Sequence, residues 1–173
     1  CDARNIKKNA GTSSDALKNI ATRIMLSSRV YVYGQGAASA AAVYLSAYLR
    51  NMLPNISCIN QLGIDPLSAV AQIENGDLLI CISFPVHTSA TLDMLEYAKS
   101  RDAGIVSISE SKDSQIAALS DVSLVSECGD YGINGTLAPV ISLCGAIISI
   151  LARSDERFKN KLNGVGEAHK NRR

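Results

Sequence analysis

The chain's 173 residues suffice for about one domain, and a domain of that size buries roughly 70% of its unfolded surface. A hydrophobic fraction of 47% beside a charged fraction of 19% belongs to a globular protein and excludes wholesale disorder. With 17 Lys+Arg against 16 Asp+Glu the net charge is +1, which excludes a nucleic-acid-binding surface spread along the whole chain.

Residues 1–12 are polar, lack the apolar stretch of a signal peptide, and read as a linker remnant ahead of a domain over 13–154. The most apolar late run, 137–152, is shorter than the ~18–20 residues that span a bilayer and contains Pro139 and Gly145, so a buried helix is expected. Cys1, Cys58, Cys81, Cys128 and Cys144 are odd in number and show no zinc-ligand spacing. Reduced core thiols in the cytoplasm are the expectation, with no metal and no cofactor implied.

In chain order, residues 13–28 place Leu17, Ile20, Ile24 and the Met25/Leu26 pair on one helical stripe, capped by Ser13 or Ser14. A first strand over 29–33 runs into Gly34-Gln35-Gly36, and an Ala-rich helix follows until Pro54 stops it near residue 52. Residues 56–60 form the second strand. Asp65-Pro66 opens a helix expected to reach about Ile73, and Asn75-Gly76 turns the chain into the apolar run 77–83. Such a run is a central parallel strand buried on both faces. A helix over 89–101, a strand over 104–109, a short helix over 114–120 and a strand over 121–126 come next. A glycine-containing turn (Gly129, Gly132, Gly135) leads to the last helix over 137–153, and 155–173 read as a polar, basic tail. Strands alternating with helices at this spacing predict an α/β fold, a doubly wound five-stranded parallel sheet flanked by helices on both faces.

Ligands of open parallel sheets sit outside the carboxyl ends of the strands, where strand order reverses. That rule selects the loops after strands 1, 3 and 4. Gly34 and Gly36 let backbone approach a ligand, and the next helix start offers free N–H groups. Ser39 stands where the third glycine of a dinucleotide fingerprint would be, and Asn60-Gln61 replace its ribose-binding acid, so NAD or FAD is not expected. The loop after strand 3 holds Ser83, His87, Thr88 and Ser89, with Thr91 close behind and no carboxylate before Asp93. Hydroxyls and helix-start amides of this kind suit a phosphate dianion, which a carboxylate would repel. The plain alternative is a Ser/Thr helix cap. His87 could donate to a phosphate or to a sugar hydroxyl.

Three segments carry a resemblance: GQGAAS (34–39), NGDLLICISFPVHTSATLDMLEYAKSRDAGIVSIS (75–109) and ESKDSQIAALSDVSLV (110–125). Together they resemble the sugar isomerase (SIS) domain, more narrowly the version in RpiR-type bacterial transcription regulators. The resemblance implies a flavodoxin-like three-layer sandwich, pairing into a homodimer or tetramer, and DNA contact only through a helix-turn-helix domain upstream of this segment. It also implies phosphate binding by Ser83, Thr88 and Ser89, aided by a serine in a GxGxS turn. Here Ala38 holds that serine's place and Ser39 follows one residue later, which leaves the N–H groups of Ala37 to Ser39 as alternative donors. Isomerase members tend to carry SxSGxTxE, whereas Ala90 stands in the place of that Glu and Glu96 lies about two helical turns further on. Aldose–ketose isomerisation needs a base to move a proton between carbons. The expectation is therefore a domain that senses a phosphorylated sugar without converting it. A stand-alone sugar-phosphate isomerase is the second reading, and an interaction domain with a degenerate pocket the third.

Overall fold

The computed structural model describes residues 14–59, 65–84, 87–126 and 136–154, and beyond these 156, 158 and 160. The elements alternate as α1 Ser14–Leu26, β1 Val30–Gly34, α2 Ala38–Met52, β2 Ile56–Ile59, α3 Pro66–Ala69, β3 Leu78–Ile82, α4 Ser89–Ser100, β4 Gly104–Ser109, α5 Gln115–Leu119, β5 Val122–Val125 and α6 Ala138–Ser154. The expected linker, the Ser13 cap, the Asn60-Gln61 pair, the glycine-containing turn and most of the expected tail lie outside the described residues.

The five strands run in the order β2-β1-β3-β4-β5 and every pairing is parallel. β3 occupies the centre and all its residues are buried, which is what its unbroken apolar run requires. Strand periodicity sorts side chains to two faces. Val30, Val32, Leu78, Ile80, Ile82, Val106 and Ile108 meet α1, α2 and α6 on one side. Tyr31, Tyr33, Leu79, Cys81 and Ile105 meet α4, α5 and the α3 segment on the other. Each fully buried branched side chain contributes about 1.5–3 kcal/mol. Phe158, downstream of α6, is also buried in the first of these cores.

Because the order reverses between β1 and β3, the loops that follow them open side by side at the carboxyl edge of the sheet. Gly34 makes this edge tight: a Cβ there would lie 2.5 Å from the Ala38 carbonyl oxygen. The alanines of α2 serve the same end, since Ala38, Ala41 and Ala42 are fully buried and let the helix axis approach β1. At the opposite edge, Asp77, with a fully buried side chain, receives Arg29 Nη2 at 2.8 Å, Arg29 Nε at 3.1 Å and the Glu74 amide at 3.1 Å. That carboxylate joins the entries of β1 and β3 and helps hold their register.

Two local expectations differ from the structure. The helix expected over 65–73 ends at Ala69, although Asp65 caps it as expected by accepting from the Ser68 amide at 2.9 Å. Val70 leaves helical geometry because it and Ile73 must both bury against the sheet before the chain turns at Gly76 (φ +89°) into β3. Leu26 is 80% exposed rather than on the α1 stripe. It lies two residues past Ile24, a rotation of about 200° that points it away from the core.

Candidate functional site

Two polar clusters form at the carboxyl edge. In the first, the turn after β1 is tied to the start of α4. Thr88 is extended (φ −80°, ψ 155°) and caps α4, its hydroxyl accepting from the Thr91 amide at 3.3 Å. The same hydroxyl donates to Gln35 Oε1 at 2.9 Å. Thr91 Oγ1 donates to that oxygen at 3.3 Å and Tyr33 OH at 3.4 Å, while Tyr33 OH and Thr91 Oγ1 lie 3.0 Å apart. Burial pushes the Tyr33 phenol above its ordinary range, opposed by the Thr91 hydrogen bond, so the ring stays neutral and can donate.

In the second cluster, Ser83 leaves β3 with its amide on the Ile108 carbonyl at 3.1 Å and is 2% exposed. Its hydroxyl lies 2.9 Å from His87 Nδ1. The imidazole side chain is 8% exposed, and its Nε2 faces Glu110 Oε1 at 3.6 Å. Nε2 and Glu110 Oε2 are buried and have no hydrogen-bond partner among the described residues. Behind Glu110, Ser109 donates to the Ser111 carbonyl at 2.9 Å and Ser114 to Ser109 at 3.0 Å, which firms the turn after β4.

The site residues expected from sequence are thus divided. Ser83, His87 and Thr88 gather where β3 meets α4, and Ser89 is exposed as the first residue of α4. Gly34 is buried and Gly36 is left-handed (φ +57°) and exposed. Ser39 turns its hydroxyl onto the Gly36 carbonyl at 2.7 Å, within its own loop. The Ala38 and Ser39 amides are also engaged, on Gln35 and Gly36 carbonyls at 3.1 Å each. The start of α4 is more open: Thr91 N and Leu92 N return to the Thr88 carbonyl, whereas the Ser89 and Ala90 amides have no recorded partner among the described residues. With no acidic residue in its first turn, the helix presents an N–H cluster and the positive end of its dipole.

Sequence reasoning missed Gln35, Tyr33 and Glu110. Glu110 directly follows β4, at one of the edges the strand-end rule selects, so its position was the available signal. Glu96, the acid considered from sequence, is exposed on α4.

The SIS domain family profile matches residues 24–129. Among curated proteins none matches by sequence. Among solved structures, the RpiR transcription factor from Sphaerobacter thermophilus (sugar isomerase domain) is similar with a TM-score of 0.87 at 22% identity, over 96% of this chain and 94% of that one. The Vibrio vulnificus NanR protein, solved in complex with ManNAc-6P, gives 0.85 at 19% identity; 96% of this chain is covered but only 65% of the NanR chain. The protein MJ1247 from Methanococcus jannaschii, whose structure was used to infer a 3-hexulose-6-phosphate isomerase function, gives 0.71 at 17% identity over 92% of each chain. At these identities the likeness establishes the fold.

Proposed function

Since the chain belongs to the SIS domain family, with residues 24–129 matching its profile, we propose that it is the effector-sensing domain of an RpiR-type transcription regulator, binding a phosphorylated sugar without converting it. The observation that carries this reading is the start of α4, where the Thr88 cap and the open Ser89 and Ala90 amides head a helix with no acidic residue in its first turn and Ser83 leaves the neighbouring end of β3. A phosphate dianion is stabilised there by charge-assisted hydrogen bonds and by the helix dipole. The domain then acts by differential affinity: the sugar phosphate favours one packing of paired domains over another and so biases attached DNA-binding heads. Val43 and Tyr48, exposed on α2 at 44% and 40%, offer apolar surface for a second copy of the chain. DNA contact belongs to a helix-turn-helix domain outside this segment, and the cytoplasm is the proposed compartment. Among the described residues no helix is long and apolar enough to cross a membrane.

A thermal-shift screen with hexose, pentose and amino-sugar phosphates, each beside its unphosphorylated parent, tests the reading. Stabilisation by one or more phosphorylated sugars and by none of the parents is expected; equal responses to both would overturn it.

One observation favours an isomerase as the second reading. Although Ala90 occupies the position where isomerase members carry Glu, His87 and Glu110 form an imidazole–carboxylate pair beside Ser83. Incubation of ketose phosphates with the protein in heavy water separates the readings. Deuterium at carbon 1 or 2 indicates the enzyme, and its absence with a stabilising ligand indicates the sensor.

A further inference from the structure

Ser83 has a single hydroxyl proton, and where that proton points is decided by its neighbour. The 2.9 Å contact with His87 Nδ1 needs a hydrogen between the two atoms. The other ring nitrogen, buried 3.6 Å from the Glu110 carboxylate, has no hydrogen-bond partner among the described residues. A bare lone pair on Nε2 would face the carboxylate charge across that gap, so the neutral ring holds its proton on Nε2. Nδ1 is then the acceptor and Ser83 the donor. In that state the Ser83 proton is committed to His87, and its oxygen offers only lone pairs to a ligand.

An oxyanion accepts hydrogen bonds and cannot donate them. We propose that Ser83 grips a bound oxyanion only when the His87–Glu110 pair has taken up a proton from solvent, so that phosphate recognition at this edge is linked to protonation of His87. With both ring nitrogens protonated, Nε2–H faces Glu110, Nδ1–H donates to Ser83, and the Ser83 hydroxyl turns to the anion. No bond other than these N–H and O–H links changes. His87 and Glu110 are positioning residues that set the polarity of Ser83.

Among the described residues, the surroundings leave this pair in control. The β1–α2 turn, residues 34–37, carries no ionisable group. On α4, Asp93 and Glu96 are exposed, and on the turn after β4 so are Lys112 and Asp113. Among the described residues, the charged contact of the ring is Glu110. Thr88, whose proton goes to an amide oxygen, carries no such linkage.

This inference rests on the anion site proposed above, and inorganic sulfate is the probe that separates the two, because it stays a dianion throughout the range in which imidazoles titrate. The protein is titrated with sodium sulfate at constant ionic strength from about pH 5.5 to about pH 8.5, following backbone amides by NMR and the His87 ring by its nitrogen shifts. The expected Kd rises with pH, approaching about tenfold per unit at the alkaline end, as uptake of about one proton on binding demands. Saturating sulfate is expected to move the ring to the imidazolium form. In Glu110→Gln the amide can donate to Nε2, the neutral ring can then keep its hydrogen on Nδ1, and the Kd is expected to be flat across the range. A wild-type Kd independent of pH, with the ring neutral at saturation, overturns the linkage and leaves the anion site standing. Thr88 and Ser89 amides unmoved at every pH, in a folded spectrum, remove the site and the linkage together.

Discussion

Gln35 Oε1 receives the Thr88 hydroxyl at 2.9 Å, so the turn after β1 and the first residue before α4 are held as one piece. Two loops separated by 53 residues in sequence meet there because the sheet places β1 beside β3.

This tie sets both stability and binding. Gln35→Ala removes the shared acceptor of three hydroxyls and is expected to cost about 1 kcal/mol, read from urea denaturation. Gln35→Glu keeps an acceptor but adds a negative charge at the head of α4. It is expected to weaken binding of any stabilising sugar phosphate by roughly tenfold or more, with a smaller effect at high salt.

The glycines of the same turn should respond unequally. Gly34→Ala drives a Cβ to 2.5 Å from backbone oxygen and 2.8 Å from backbone carbon of Ala38, atoms that cannot move without parting β1 from α2. A loss of about 1–3 kcal/mol is expected. Gly36→Ala meets open space, and its expected cost of about 1–2 kcal/mol comes from the left-handed backbone alone. The two losses are distinguished by the D-alanine form at position 36, introduced by chemical ligation, which restores stability there.

The buried thiols give a pH dependence. Burial pushes Cys81 and Cys144 up from 9.0 to about 12, so both stay protonated in the folded chain well above the point where an unfolded thiol ionises. Their stabilising contribution is complete below about pH 9 and is lost as pH rises towards about 12. At about pH 8, alkylation under native conditions is expected at half-buried Cys58 and negligible at Cys81 and Cys144, as peptide mapping would report.

The fold was largely legible because its signals are periodic and local. The apolar run of β3, the Pro54 stop after α2 and the Asp65-Pro66 start each depend on a few adjacent residues. The proximity of Ser83, His87 and Thr88 was legible for the same reason, since they share one loop. Gln35 and Glu110 were not, because their roles come from strand neighbours: Gln35 acts on Thr88 across β1 and β3, and Glu110 on His87 across β3 and β4. Ser39 shows the opposite case. Its composition suggested a ligand donor, and a hydrogen bond to its own turn claims the hydroxyl.

The most direct measurement is isothermal titration of the sugar phosphate that stabilises the protein best into wild type, Ser83→Ala and Thr88→Val. Below about pH 6, where imidazoles are protonated, Ser83→Ala is expected to cost about 1.5–3 kcal/mol of binding, roughly ten- to a hundredfold in Kd, and Thr88→Val to weaken binding through loss of the cap and of the Gln35 tie that hold the α4 start, with folding retained in both. Unchanged affinity in both variants would place the phosphate elsewhere and contradict the account.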